Sequence, residues 1–571
     1  MPSVDGVPAG IRFEHDIQIP LRDGASVRAD VFRPDEPGRY PVLVAQGPYG
    51  KDPWIGAAYA AEWADFVQRR PEVVEDGSSG RLIAWEFVDP ERWVPHGYVV
   101  VTVDVRGQGK SPGYYDPYSP RETNDYVDVI EWAGTQQWSS GRVGLIGVSY
   151  LAANQWQVAA LRPPHLAAMI PWEGSCDLYR DTSHPGGILS NRYPAMWWIN
   201  QIMVNQHGNG DTPYHDRFSD EPTTGPALSP AQLDLNRAPI ASSALFRPLD
   251  GPYYWERTPD LGRIEVPLLS AANWGGAGLH LRGNIEGFVR AGSRHKWLFT
   301  HSGVHFHDFY LSYGVELQRR FFDHFLRGVD NGWDAEAPVQ LLIRRPESSE
   351  RRAEAAWPIP RTVWTAAALT ADHRLDLESG SADAHPRRVS FDALTESLTF
   401  MTSPLGSDVE ITGPVALVLW VSSTTSDADL FVALRAFDGD GTEVTFEGAH
   451  HMQVPIGLGW LRASHRKLDE ERSLPYRPFH AHDEMQPLVP GEVYRLDIEI
   501  QPTSFVAPAG YRLALTVAGT DYRPPGADGP GPLDHDDPTD RPPSTYGGTT
   551  TLHLGGEYPS HLLLPVIPER S

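Results

Sequence analysis

The segment Gly144–Ala152 (GLIGVSYLA) is where chemistry is easiest to argue from this chain. An apolar run ends at Ile146, Gly147-Val148-Ser149 turns sharply, and a helical pattern begins near Tyr150. A serine on such a strand-to-helix turn holds its hydroxyl above the sheet, over a helix N-terminus that stabilises developing negative charge. Ser149 can therefore attack an acyl carbonyl. The G-x-S-x-G spelling breaks at its last position, where Leu151 replaces glycine. The competing reading is a serine that only caps the helix. A nucleophilic serine needs a base, and Lys296–Tyr310 (KWLFTHSGVHFHDFY) offers His301, His305 and His307, with Asp308 beside them. Their clustering also invites a metal, but no H-E-x-x-H signature is present, and the expectation is no metal and no cofactor.

Further motifs accompany this turn. Gln46-Gly47-Pro48-Tyr49-Gly50-Lys51 and Asp104–Gly113 (DVRGQGKSPG) precede it. Arg462-Ala463-Ser464-His465-Arg466, Pro490-Gly491-Glu492 and Pro502-Thr503-Ser504 follow far downstream. Together with Gly147-Val148-Ser149-Tyr150-Leu151 they resemble the X-Pro dipeptidyl-peptidase, α-amino acid ester hydrolase and cocaine esterase family, over nearly the whole chain. The resemblance implies an α/β-hydrolase with a C-terminal jelly roll and Ser149 as its nucleophile. It also implies an oxyanion hole made by the Tyr49 hydroxyl and the Tyr150 amide, two fixed donors aimed at the tetrahedral oxygen.

The family places its base on the loop after the last strand, in a G-P-W-x-H pattern that this chain does not preserve. His305, deepest in that loop, is the expected base, with His301 as the alternative. The acid is where the chain departs from the pattern. The family's Asp should follow the preceding strand, yet Val266–His280 (VPLLSAANWGGAGLH) has Gly275-Gly276 there and no carboxylate between Glu265 and Glu286. The strand after the nucleophile's helix ends in Ile170-Pro171-Trp172-Glu173-Gly174, so Glu173 is expected to have taken over as the acid, with Asp177 as runner-up. The bland reading of Glu173 is an ion pair with Arg180 or Arg192. Leu279–Asn284 reads as helix, with His280 and Arg282 able to face the cleft. Trp172, Trp197, Trp198 and Trp274 are the candidates for an aromatic substrate wall.

These residues need a scaffold, and the chain changes grammar along its length. Apolar runs at 41–45, 98–105, 143–146, 167–171, 266–271 and 296–300 alternate with helical patterns at 121–134, 150–161, 279–291 and 317–326. That alternation predicts an open, mostly parallel α/β sheet. Residues 177–260 interrupt it with aromatic, Pro-, Asn- and Asp-rich sequence too long for a connection, and read as an inserted helical cap. From 333 onward alternating strands dominate and predict a β-sandwich of jelly-roll type. The expected units are 1–176 and 261–332 for the core, 177–260 for the cap and 333–571 for the jelly roll.

Composition narrows the function classes. The chain has 571 residues, a formal charge of −26 and one cysteine, Cys176. The carboxylate excess repels phosphate backbones and anionic lipid heads, so neither nucleic acid nor a membrane surface is an expected partner. One cysteine excludes an internal disulfide and a cysteine-based zinc site, and with no signal-peptide layout at the N-terminus the expected compartment is the cytoplasm. The partner is then a small ester or short peptide, and self-association into a homo-oligomer stays open. Two readings from other classes are a catalytically impaired binding protein on the same fold and a carbohydrate-binding jelly roll. Asp534–Arg541 (DHDDPTDR) matches no EF-hand order and reads as a salt-bridged loop.

Overall fold

The computed structural model describes residues 6–239, 244–377, 384–450, 453–527, 531 and 533–569. Its first sheet has ten strands. They are β1 (Ile11–Pro20), β2 (Ser26–Pro34), β3 (Tyr40–Gly47), β4 (Val99–Asp104), β5 (Ser139–Val148), β6 (Leu166–Trp172), β7 (Leu268–Asn273), β8 (Lys296–His301), β9 (Val339–Arg344) and β10 (Ser349–Glu354). Their order is β1-β2-β4-β3-β5-β6-β7-β8-β9-β10. From β4 to β9 all neighbours run parallel, and antiparallel pairs lie only at the two margins.

Successive side chains of a strand point to opposite faces, and this sheet is covered on both. Leu43 and Ala45 of β3 join a core with Ile146, Phe321 and Phe322, while Val42 and Val44 join another with Tyr126, Val129 and Trp156. The continuous apolar spelling of these strands follows from that double burial, at roughly 1.5–3 kcal/mol per fully buried large aliphatic side chain. The covering helices are α1 (Pro120–Thr135) and α2 (Tyr150–Ala160) on one face, α4 (Ser312–Arg327) on the other, and α3 (Leu281–Arg290) beside β7. β9 and β10, which follow residue 333, add to the far margin of this sheet. The sequence between them, Arg345–Ser348, is a tight reversal that adds one more edge hairpin.

The expected cap, 177–260, contains short helical turns at Leu178–Ser183, Arg192–Trp197, Trp198–Met203, Pro230–Leu235 and Pro252–Trp255. A second group of helical turns, between Ile55 and Trp93, meets the cap where Tyr59 approaches Tyr214. The remaining strands form an eleven-stranded sheet with antiparallel pairing, centred on Val409–Ser423 against Tyr494–Ala507. Its interior alternates as a β domain requires, with Leu417, Leu419 and Val421 facing Leu496, Ile498 and Ile500 in one core.

Candidate active site

Ser149 lies between β5 and α2 with φ 59° and ψ −113°. A β-carbon tolerates that backbone poorly, at a cost of order 1–3 kcal/mol, and the neighbours show what enforces it. Its amide donates to Trp172 O at 3.0 Å while its carbonyl accepts from Ala152 and Ala153. Leu151 explains the broken motif. A β-carbon on Gly147 would lie 2.5 Å from Leu151 Cβ, and one on Gly47 would lie 2.4 Å from Leu151 Cδ1. The glycines at 47 and 147 therefore make room for the leucine. Glu86 and Glu173 also have positive φ, 66° and 54°, so three strained non-glycine residues meet at one place.

The histidine that meets Ser149 is His280, at the N-terminal end of α3. Its Nε2 is 3.1 Å from Ser149 Oγ. Its Nδ1 is 4.0 Å from Glu173 Oε2 and makes no hydrogen bond. Burial, reinforced by His305 and His450, holds this imidazole well below its ordinary pKa, so it is neutral and able to accept a proton.

His305, the expected base, is placed one layer further back. Its Nδ1 is 3.0 Å from Glu173 Oε2 and its Nε2 is 3.0 Å from Glu86 Oε1. Both ring nitrogens are thus engaged by carboxylates and neither faces the serine. Burial alone would depress this imidazole, but the Glu173 and Glu86 charges outweigh it and raise the pKa to about 10. The rings of His280 and His305 stack at 5.2 Å. His301, the alternative, is fully buried, with Nε2 3.5 Å from Glu173 Oε1 and Nδ1 3.5 Å from Asp308 Oδ2.

Glu173 is the hub of this arrangement. Besides His305 it accepts from Asn273 Nδ2 at 3.1 Å, and Asn273 is itself tied to Gly303 O at 2.8 Å. The arginines of the bland reading are engaged elsewhere, Arg180 with Asp177 and Asp250, Arg192 with Asp534 and Asp536. Asp177 faces away from the histidines. Its carboxylate caps the turn at 178–183 through the Tyr179 and Arg180 amides and pairs with Arg180 at 3.0 Å. Glu86 is the acid that sequence reasoning missed, since it lies in a stretch without periodicity. Its carbonyl accepts from the Val148 amide at 3.3 Å, which pins it beside the nucleophile's strand.

Gly275 has its own explanation. A β-carbon there would lie 2.6 Å from Gly448 Cα. The Ala449 amide donates to Gly275 O, and the His305 amide donates to Ala449 O. A loop of the β domain thus fills the space beside the place where the family's Asp would be.

Tyr49 sits on a turn built by two of the sequence motifs. Asp104 Oδ1 accepts from the Lys51 amide at 2.7 Å and its Oδ2 from the Lys110 amide at 2.9 Å. Gly109 allows the approach, because a β-carbon there would meet Asp104 Oδ2 at 2.2 Å. The buried Lys51 ammonium pairs with Asp30 at 3.0 Å and Asp52 at 2.6 Å. The Tyr49 hydroxyl accepts from the Trp197 indole N–H at 3.1 Å, which leaves its own proton to donate. Tyr150 starts α2, so its amide lacks an intrahelical acceptor. Its hydroxyl donates to Glu122 at 2.8 Å.

A cavity of about 250 Å³ opens onto Ser149, His280, Tyr49 and Tyr150. Its walls are mostly apolar, with Tyr118, Tyr193, Trp197 and Tyr254 among them, and uncharged polar groups come from Ser175, Thr182, Ser183, Ser190 and Asn191. Asp537 is the one carboxylate among its described lining residues, and no lysine or arginine joins it. Of the four expected wall tryptophans, Trp197 lines the cavity. Trp172 is instead core behind Glu173, against Phe299 and Phe309, because its strand turns that face inward. Trp198 stacks on Tyr115, and Trp274 packs near Trp357 with its N–H on Leu342 O.

Comparison with known proteins fits this architecture. Residues 23–307 match the X-Pro dipeptidyl-peptidase (S15 family), and residues 331–563 match the X-Pro dipeptidyl-peptidase C-terminal non-catalytic domain. A CocE/NonD family hydrolase from Staphylococcus aureus superposes with a TM-score of 0.84 at 30% identity, covering 99% of this chain and 98% of that one. Cocaine esterase from Rhodococcus sp. (strain MB1 Bresler) is 25% identical over 97% of this chain and 98% of its own length. A putative Xaa-Pro dipeptidyl-peptidase from Streptomyces avermitilis is 25% identical over 87% of this chain and 76% of its own.

Proposed function

Because the chain belongs to the X-Pro dipeptidyl-peptidase (S15) family and is a serine hydrolase of esters or peptides, we propose that it cleaves carboxylic esters with an uncharged acyl group, through an acyl-enzyme on Ser149. The observation that carries this reading is the 3.1 Å approach of His280 Nε2 to the hydroxyl of a strained serine at the mouth of an apolar cavity. His280 takes the serine proton as Oγ attacks the carbonyl carbon, and returns it to the leaving oxygen. The Tyr49 hydroxyl and the Tyr150 amide donate to the oxyanion, each contributing about 2.7–4 kcal/mol on the scale measured for such donors. Water then attacks the acyl-enzyme with His280 again as base. Glu173 acts from 4.0 Å on the imidazolium that forms, and His305, clamped between Glu173 and Glu86, positions it.

Ester is favoured over X-Pro peptide because the described lining residues of the cavity include no carboxylate cluster that would hold a free α-amine. Asp537 is occupied in part, since its Oδ1 accepts from the Thr539 and Asp540 amides. We place the enzyme in the cytoplasm, where Cys176 stays a buried free thiol; among the described residues no helix is long and apolar enough to cross a membrane.

Fluorophosphonate labelling followed by peptide mapping tests the nucleophile. The adduct is expected on Ser149 alone and absent from Ser149→Ala. No adduct on folded wild type would sink the hydrolase reading in favour of a binding protein. Parallel rates on p-nitrophenyl butyrate and on an alanyl-prolyl p-nitroanilide test the substrate class, and faster cleavage of the anilide would reverse the preference.

A further inference from the structure

The loop that packs on Gly275 also carries His450 from the β domain to the site. The His450 ring lies 4.8 Å from that of His305 and 6.1 Å from that of His280. One nitrogen from each of the three rings can be chosen so that all lie within 4.8 Å of one another. His280 is 4% exposed, and its Nδ1 is a buried lone pair or N–H without a partner. Glu173 Oε2, 3.0 Å from His305 Nδ1 and 4.0 Å from His280 Nδ1, adds an oxygen donor and negative charge at the same spot.

We propose that His280, His305 and His450 form a site for a divalent ion of the zinc type, and that filling it switches the hydrolase off. Imidazole and carboxylate donors suit zinc. A tetrahedral ion with bonds of about 2.0–2.1 Å holds its donors closer than they stand here, so the three side chains must draw together by rotation. The ion takes His280 at Nδ1. A neutral imidazole coordinated there keeps its one proton on Nε2, so it donates to Ser149 Oγ and no longer accepts from it. His305 gives up one proton to bind. A second group, His15, Asp52 and Asp216, has similar spacing, but the ammonium groups of Lys51 and Lys110 already neutralise its carboxylates.

The inhibitory half rests on His280 being the base, and the two ideas fail separately. Cobalt(II) titrated into the whole protein is expected to give the visible spectrum of a tetrahedral nitrogen site at one ion per chain, displaced by zinc. Ser149→Ala keeps that spectrum, and His450→Gln loses it or weakens binding by about tenfold or more. Ester hydrolysis is expected to fall with zinc and return with a chelator, and the ratio of rates with and without zinc moves toward one in His450→Gln. No stoichiometric cobalt spectrum, or one indifferent to His450→Gln, overturns the site while leaving Ser149 labelling intact. Binding that leaves turnover unchanged overturns the switch. A folded His450→Gln protein is verified by its unchanged far-ultraviolet circular dichroism, and His280→Gln is expected to weaken cobalt binding equally.

Discussion

At the scale of single residues, the proposed mechanism divides one task between the stacked rings of His280 and His305. His280→Gln is expected to lower kcat by about 10²–10⁴-fold, the range for a removed general base, whereas His305→Gln is expected to cost less, because it removes a bridge between Glu173 and Glu86 and leaves His280 Nε2 on the serine. A pre-steady-state acylation assay separates them, and equal losses would argue that His305 takes the proton after all. Tyr49→Phe is expected to cost about 10²–10³-fold in kcat with KM little changed, since the lost donor acts on the oxyanion. The strand–Ser149–helix turn is legible in the sequence because it is local, and the Tyr49 turn because each of the two segments that build it, around Tyr49 and around Asp104, carries its own short motif. His280 is not. It stands in Leu279–Asn284, where helical periodicity says only that a histidine starts a helix, and the direction it faces is set by β7 and by the packing of α3. The family's loop pattern draws attention to His305 instead. Glu86 carries no local signal at all, as it comes from an irregular stretch whose position depends on Val148 and His305.

At the scale of elements, α1 and α2 meet through one carboxyl. Burial pushes Glu122 up to about 8, against the Tyr150 hydroxyl and the Tyr118 amide that favour its charge. The folded chain then keeps a proton that the unfolded chain releases near pH 4.5, so this group removes stability as pH rises from about 5 through 8. A tenfold difference in proton affinity between the folded and unfolded chain is worth about 1.4 kcal/mol. Glu122→Gln is therefore expected to gain Tm on wild type progressively over that range and to hold a constant lead above it. Thermal melts at pH 5, 7 and 9 check this, and a lead independent of pH would mean that Glu122 stays ionised. Gly275 links other elements. Gly275→Ala forces the loop at 447–450 away from α3 and is expected to cost about 1–3 kcal/mol, with slower turnover because His305 receives its backbone contact from the same loop. Alternating apolar runs reveal the parallel strands, whose both-faces burial is written into composition. The helical turns between Ile55 and Trp93 leave no such trace, because all but Ala60–Arg69 are four residues or shorter and their buried side chains, such as Ile55 and Trp93, are too scattered for a period to show.

At the scale of the whole molecule, the β domain packs against both the cap and the core beside the candidate site. Gly186 of the cap lies so near Trp460 that a β-carbon there would meet Trp460 O at 2.1 Å. Arg282 of α3 reaches Glu499 at 3.0 Å, and Arg69 reaches Glu447 at 2.8 Å. Asp534 and Asp536 hold Arg192 of the cap, and Asp540 holds Arg462, so the acidic loop is a set of ion pairs, in line with its sequence. A chain cut after β10 is expected to fail to label at Ser149, and calorimetry of the intact protein is expected to show one cooperative transition; two separated transitions would mean that the halves are energetically independent. The join between cap and core bears on selectivity. The indole of Trp197 belongs to the cap, and the hydroxyl it holds is the one proposed for the oxyanion hole. An ester bulky enough to keep that indole off Tyr49 can still occupy the cavity, but the carbonyl it presents finds the hydroxyl swung out of line. Size is then expected to be judged after binding, by how often a seated substrate reacts, with oversized esters acting as inhibitors of the small ones.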